Sequence, residues 1–279
     1  MAYDLKAKIA QAAKTGPNMT EAQAGGGDFT PPAKGVAQAR FVGYFETGVH
    51  EVDDFNNPGQ KKDKNLVELI FELSGPNHAP VNGVPHRIKV EEALALGDRA
   101  NFFKLFSAMN YAGKATHMAE LLGEPFLVTV YHRKSADGKR TYATLKGSKK
   151  TEPVGDGYKI TGPKYQDPIS GKDVLVDVAA PLTDLKAFIW EIADKEMWDS
   201  IFIDGEYPER KDDDGKVIAP AKTKNVIQTK IMGAKNWREH PLYSVLLEGG
   251  QEPDLPEAET PERDTPENEA AADPLAAIG

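Results

Sequence analysis

The sequence contains no cysteine, which excludes disulfides, cysteine-ligated zinc sites and thiol nucleophiles. It has no run of about 18 apolar residues, so no membrane-spanning helix is predicted. It also lacks the phosphate-binding, dinucleotide-binding, zinc-protease and serine-hydrolase motifs. The six histidines are scattered, and no carboxylates complete a metal site around them. We therefore expect no enzyme activity, no cofactor and no bound metal.

Charge is distributed unevenly along the chain. The net charge is −9, yet residues 251–279 carry nine acidic residues and one basic residue, a local charge of −8. Residues 127–172 hold ten basic and four acidic residues, a local charge of +6. A basic stretch of this kind is typical of proteins that bind a polyanion, and it is also typical of a solvated, lysine-rich surface loop. Charge alone leaves both interpretations open.

Composition and periodicity divide the chain into four parts. Residues 1–35 are predicted to form a short N-terminal helix and a flexible linker rich in glycine and proline. Residues 36–180 carry alternating apolar patterns and form the predicted core. Residues 181–250 show helical spacing and are predicted to form a helical extension that packs on this core. Residues 251–279 are mostly Glu, Pro, Ala, Asp and Thr, which predicts a disordered acidic tail.

The predicted core has the element order of an OB-fold. Three strands, at 39–47, 66–73 and 86–90, are followed by helical patterns at 98–109 and 116–122 and by a hairpin with strands at 126–132 and 140–146. An OB-fold is a five-stranded, partly open barrel, and its helix lies between the third and fourth strands. The predicted fold class is therefore mainly β with helical additions: a five-stranded OB-fold barrel, a C-terminal helical segment and a disordered acidic tail.

Binding of single-stranded DNA requires cations that follow the phosphates and aromatic rings on which the bases stack. The predicted hairpin offers both, because Tyr131 and Tyr142 share its outer face and basic residues lie beside them on that face. The predicted contacts on the hairpin and just after it are Tyr131, Arg133, Arg140, Tyr142, Lys146, Lys149, Lys150, Tyr158 and Lys159. On the first strand, alternation places Arg40 and Tyr44 on one face, and on the third strand it places Arg87 and Lys89 on one face; these four are predicted contacts as well. A strand tyrosine is also a common packing residue, and a strand cation often only faces solvent. The interleaving of aromatic and basic residues favours the binding interpretation.

Several segments resemble a known family. The stretch Leu122-Gly-Glu-Pro-Phe-Leu-Val-Thr-Val130 follows a helix that contains Asn101-Phe-Phe-Lys-Leu-Phe106. With Arg40-Phe-Val-Gly-Tyr44, residues 66–75 and Asn225-Val-Ile-Gln228, it resembles the OB-fold core of bacteriophage single-stranded DNA-binding proteins. The resemblance covers about residues 36–250.

The resemblance has implications for the tail. It implies that the acidic tail contacts a replicative DNA polymerase or helicase and occupies the basic groove when DNA is absent. Tails of this family commonly end with an aromatic residue, whereas this one ends Asp273-Pro-Leu-Ala-Ala-Ile-Gly279, which leaves the partner contact open. The family includes zinc-containing relatives, and the absence of cysteine argues against zinc here.

The sequence thus predicts a protein that coats and protects single-stranded DNA, without sequence preference, in phage DNA replication, recombination or repair. We expect it in the cytoplasm, which is that of the host cell if a phage encodes it. Two alternatives remain. The first is an accessory protein of the replication machinery that works mainly through protein contacts, and the second is a structural protein of the virion.

Overall fold

One large sheet organises the chain in the computed structural model, which describes residues 30–54, 57–135, 138, 140–148, 157–211 and 215–248. The predicted N-terminal helix, Lys149, Lys150 and the acidic tail lie outside these residues. The described strands, in chain order, are β1 (Gly35–Asp53), β2 (Lys61–Ser74), β3 (Arg87–Ala93), β4 (Pro125–Lys134), β5 (Thr141–Thr144), β6 (Lys146–Gly147), β7 (Gly157–Tyr158), β8 (Ile160–Thr161), β9 (Lys164–Gln166), β10 (Asp173–Leu175), β11 (Lys186–Phe188), β12 (Glu206–Tyr207), β13 (Arg210–Lys211), β14 (Val217–Ala219) and β15 (Lys222–Thr223).

The described helices are short. The α-helices are α1 (Asn101–Met109), α2 (Lys195–Ser200), α3 (Val226–Met232) and α4 (Pro241–Glu248), and 3-10 turns lie at Met118–Leu121, Trp190–Ile192 and Trp237–Glu239. The predicted class, mainly β with helical additions, is confirmed. No helix in the described ranges is long and apolar enough to cross a membrane.

The main sheet has the strand order β3-β2-β1-β4-β5, and neighbours along this path are antiparallel. Strand β8 also pairs with β4, and β11 pairs with β1 in parallel. Strand β1 pairs with β2, β4 and β11, which is possible because it is 19 residues long. Its first part, residues 35–40, pairs with β4, and residues 43–45 pair with β11.

The inner face of the sheet forms the first apolar cluster. Alternate residues of β1 to β4 point inward, and α1 adds Phe102, Leu105 and Met109 from one helical face. The largest inward side chains, Phe41, Phe71 and Phe126, are fully buried. Helix α1, which follows β3 and precedes β4 in the chain, therefore packs against the inner face of the sheet.

The outer face of β1 and β2 is covered by the C-terminal segment. Val42, Phe45 and Ile70 pack there with a second apolar cluster from residues 188–246, which includes Trp198 and Trp237. Approach of this segment requires a glycine at position 48, where φ is +84° and an added Cβ would lie 2.5 Å from the ring of Trp190. Strands β1 and β2 therefore contribute to both clusters, one on each face.

The helix predicted from about residue 181 is wrong in its first half. Residues 186–188 form β11, a 3-10 turn follows, and the first α-helix of this segment begins only at Lys195. The apolar spacing of residues 185–193 fits a helix, but β1 offers unpaired backbone beyond Arg40, where its pairing with β4 ends. Parallel pairing with β11 satisfies those backbone groups, and the tertiary contact overrides the local pattern.

Candidate nucleic-acid interface

The hairpin formed by β4 and β5 carries the predicted site. Its loop is closed by two hydrogen bonds: the backbone N–H of Ser135 donates to the carbonyl of Arg140 (2.9 Å), and the N–H of Arg140 donates to Ser135 Oγ (3.0 Å). In the ladder, Tyr131 lies opposite Thr144, and Arg133 lies opposite Tyr142. Directly opposed residues point to the same side of a sheet, so Arg133 and Tyr142 form a cation and aromatic pair on one face.

Four side chains, Arg133, Tyr142, Lys146 and Tyr158, come together here and are called the hairpin cluster below. Arg133 Nη2 donates to the carbonyl of Lys146 (2.8 Å). Lys146 lies opposite Tyr158 in the short β6–β7 ladder, and its Nζ is 5.7 Å from the centroid of the Tyr158 ring. The cluster thus joins residues that are up to 25 positions apart in the chain.

Glu92, on β3, connects the hairpin cluster with the far edge of the sheet. Its Oε1 accepts hydrogen bonds from Lys146 Nζ (2.5 Å) and from the Tyr158 hydroxyl (2.6 Å), and its Oε2 accepts one from Asn101 Nδ2 (3.3 Å). Burial, and then the charge of Glu92, raise the pKa of Tyr158 well above its ordinary value, so its hydroxyl stays protonated and donates. These bonds hold β3 beside β5 and β6, although the described strands form no ladder between β3 and β5.

The surface around the hairpin cluster is strongly basic. Lys134, Arg140 and Lys159 are exposed beside it. Within the described part of residues 127–172 there are seven basic residues and one acidic residue. Lys64 and Arg99 extend this character past Glu92, where they line an open cavity of about 420 Å³. A polyanion would therefore meet an excess of cations along this side of the sheet.

Tyr131 lies on the predicted face but is only 4% exposed, so its ring offers almost no surface for stacking. Tyr142 and Tyr158 are half-buried. Glu92 engages the hydroxyl of Tyr158, and Lys146 lies over one face of its ring, which leaves Tyr142 as the best-placed aromatic ring of the cluster. Of the predicted stacking pair, Tyr131 is therefore too buried to serve, and Tyr142 remains as the candidate.

The prediction that Arg40 and Tyr44 share a binding face is wrong, because the register of β1 shifts between Phe41 and Gly43. A bulge moves the residues beyond it to the other face. Tyr44 is consequently fully buried, and its hydroxyl donates to Glu46 Oε1 (2.8 Å). Burial, and then Glu46, raise its pKa above the ordinary value.

Arg40 has a structural role. Its guanidinium donates to the carbonyls of Gly123 (2.8 Å), Val178 (2.5 Å) and Ala179 (2.9 Å), and so joins β1 to two distant segments. Three of its five N–H donors are therefore occupied by the protein itself.

Arg87 and Lys89 do share the outer face of β3, as predicted, but both are engaged by the protein. Arg87 Nε donates to Thr183 Oγ1 (2.9 Å), and Lys89 Nζ bonds Glu68 Oε1 (3.3 Å). Both side chains are half-buried. Sequence reasoning missed these contacts because Thr183 and Glu68 lie far from them in the chain, and it missed Glu92 for the same reason.

Within the described ranges no group of three or more histidine, aspartate or glutamate side chains is arranged to hold a metal ion. Comparison with protein-family models, curated proteins and solved structures finds no match to this chain.

Proposed function

We propose that this protein binds single-stranded DNA without sequence preference, through an OB-fold whose ligand surface includes the hairpin cluster. Two ingredients support the proposal: cations to neutralise phosphates, and an aromatic ring, Tyr142, on which a base can stack. Both lie on one face of the β4–β5 hairpin. No catalytic step is assigned to the protein.

The strand order supports the OB-fold part of the proposal. An OB-fold is a five-stranded, partly open Greek-key barrel. The order β3-β2-β1-β4-β5, with α1 inserted between β3 and β4, fits that description. Bonds from Lys146 and Tyr158 to Glu92 bring β3 to the side of β5 and β6, as an almost closed barrel requires.

One observation carries the functional part: the β4–β5 hairpin bears the Arg133–Tyr142 pair together with the exposed cations Lys134 and Arg140. OB-folds bind oligonucleotides on the face of their second and third strands and with the loops between strands one and two and between strands four and five. The hairpin of this chain holds the last of these loops. In the proposed OB-fold, the aromatic and basic side chains of the hairpin therefore lie next to a loop that contacts oligonucleotides.

In the cell such a protein would coat exposed strands during phage DNA replication, recombination or repair, in the cytoplasm of the host. The segment 251–279, with its charge of −8, would contact a replicative DNA polymerase or helicase. This phage assignment rests on the sequence resemblance.

A second function, that of an accessory interaction protein, is favoured by one observation. The β9–β10 hairpin carries Ile169 (95% exposed) and Leu175 (79% exposed), and exposed apolar side chains of this size are common at protein contacts. An accessory protein of this type would bind a protein partner while showing no salt-dependent affinity for single-stranded DNA.

Replacement of Tyr142 with alanine tests the role of the hairpin. The affinity for a labelled oligo-dT should fall by roughly 1–3 kcal/mol, because one stacked base loses its platform. Fluorescence anisotropy measures the change. Phe202→Ala is the control, because Phe202 is a 53% exposed aromatic residue of the C-terminal segment, and it should leave the affinity unchanged. A folded Tyr142→Ala protein that binds like the wild type would remove the hairpin from the site.

A further inference from the structure

Three donors converge on the carboxylate of Glu92 at the edge of the hairpin cluster. Its Oε1 accepts hydrogen bonds from the ammonium group of Lys146 and from the hydroxyl of Tyr158, and its Oε2 accepts one from the side-chain amide of Asn101. The donors belong to β6, β7 and α1, whereas Glu92 belongs to β3. One anion of the chain is therefore held where these four elements meet.

The same kinds of donor bind phosphate. Lysine ammonium groups, hydroxyls and side-chain amides all donate hydrogen bonds to the phosphate oxygens of nucleic acids. A lysine acts there as a point charge that accepts either a carboxylate or a phosphate as its partner. Glu92 thus occupies donors that would also suit a phosphodiester group of the single strand.

The two members of the ion pair differ in their access to solvent. The side chain of Lys146 is 33% exposed, and that of Glu92 is 9% exposed. The long stem of the lysine allows its ammonium group to turn outward, while the carboxylate stays among its neighbours. Tyr158 and Asn101 would continue to donate to Glu92, so the carboxylate would keep two hydrogen bonds after the lysine had left.

Further cations lie on both sides of this ion pair. The exposed cations of the hairpin are Lys134 and Arg140, and those of the open cavity described above are Lys64 and Arg99. Among the described residues that line the cavity, Glu92 is the only acidic one. Asp98 is exposed next to Arg99 and offsets part of the positive charge. A single strand that follows these cations would pass the ion pair on its way.

We propose that Glu92 competes with single-stranded DNA for Lys146, and that a phosphate of the bound strand replaces the carboxylate as the partner of this lysine. The inference rests on the proposed DNA-binding function and names a control on its affinity. Because the carboxylate neutralises Lys146 in the free protein, the lysine contributes less to binding than a solvated cation does. The affinity of the hairpin cluster is thereby limited from within the fold.

The test uses variants of the full chain that keep the size of each side chain. Glu92→Gln removes the competing charge but retains an acceptor oxygen for Tyr158. Lys146→Gln is made alone and together with Glu92→Gln, which shows whether a gain in affinity depends on the lysine. The control is Glu91→Gln. It removes the same charge from the neighbouring residue of β3, which points to the other face and pairs with Lys230.

Anisotropy of a labelled oligo-dT, titrated at several salt concentrations, measures the affinity. One additional phosphate contact on a single strand steepens the slope of log affinity against log salt by about 0.7. Glu92→Gln should therefore show a slope steeper by about 0.7 and an affinity about fivefold higher at about 0.1 M salt. The double variant should return to the slope of the wild type, and the exposed control should stay within about twofold of the wild-type affinity.

Lys146→Gln alone gives a test that does not depend on a change at Glu92. Its slope should differ from that of the wild type by much less than about 0.7, because the lysine is already neutralised by the carboxylate. Loss of a full phosphate contact in this variant would show that Lys146 binds DNA without competition, and would overturn the inference. Thermal unfolding followed by circular dichroism verifies that each variant is folded.

The other outcomes separate this inference from the proposed function. If the wild type binds and folded Glu92→Gln protein binds no more tightly than the Glu91→Gln control, Glu92 does not compete, while the hairpin site stands. If the double variant keeps the gain, the carboxylate repels DNA without acting through Lys146, and the inference is again overturned. A wild type without salt-dependent binding would remove the proposed function and this control together.

Discussion

Replacement of Trp237 with alanine should lower the free energy of unfolding by about 3–5 kcal/mol. Trp237 is fully buried at the centre of the second apolar cluster. Its ring stacks on Trp198 (centroids 5.1 Å apart, planes at 19°) and on His240 (5.5 Å, 21°). Truncation would remove these contacts and leave a cavity that three different elements line.

Urea unfolding followed by far-ultraviolet circular dichroism measures this change. Phe202→Ala is the control and should cost no more than about 0.5 kcal/mol, because the side chain is 53% exposed. The transition should stay single, since β1 and β2 contribute to both clusters and couple the C-terminal segment to the core. A cost below about 1 kcal/mol, or an early separate transition, would show that the C-terminal segment is not part of one cooperative unit.

Replacement of Lys230 with alanine should cost about 3 kcal/mol at pH 7, because it leaves a buried carboxylate with only part of its compensation. Glu68 is 1% exposed and bonds both Lys230 and Lys89. Lys235→Ala is the matched control: that lysine follows α3, is about half exposed and pairs with Glu51 and Asp63. Exposed pairs of this kind contribute about 0–1 kcal/mol.

The same ion pair predicts a dependence on pH. Burial acts to raise the pKa of Glu68, but Lys230 and Lys89 outweigh burial and lower it to about 2. A lowered folded-state pKa stabilises the protein above the ordinary carboxyl pKa of about 4.5, and this contribution disappears as the pH falls from there towards 2.

In the Lys230→Ala protein the pKa of Glu68 should rise, so the acid-unfolding midpoint should move to a higher pH. Acid titrations of both lysine variants measure the midpoint. Equal midpoints for Lys230→Ala and Lys235→Ala would contradict a stabilising role for the buried pair.

Local patterns in the sequence predicted the elements of the core. Alternation in the hairpin predicted strands at 126–132 and 140–146, and the structure has β4 at Pro125–Lys134, β5 at Thr141–Thr144 and β6 at Lys146–Gly147. The apolar spacing of residues 102–109 predicted α1. These predictions succeed because the period of a buried face is a local property of the chain.

The errors have non-local causes. The bulge after Phe41, which buries Tyr44, depends on the register between β1 and β2. The strand at Lys186–Phe188 depends on the edge of β1 that is left open where the pairing with β4 ends at Arg40. The engagement of Lys89 by Glu68 depends on the pairing of β2 with β3. Alternation within one strand shows which residues share a face, but only the assembled sheet shows which of them remain accessible.

The most direct test of the central claim is a pair of titrations with labelled oligo-dT and with a labelled duplex of the same length, each at low and high salt. Anisotropy of the label is the appropriate signal, because all three tryptophans pack in or against the second apolar cluster and not at the hairpin. We predict that the protein binds the single strand much more tightly than the duplex, whose stacked bases cannot reach Tyr142. The affinity should fall with salt by about 0.7 in log–log slope for each phosphate neutralised. Equal affinity for the duplex, or an affinity for the single strand that does not change with salt, would contradict the account.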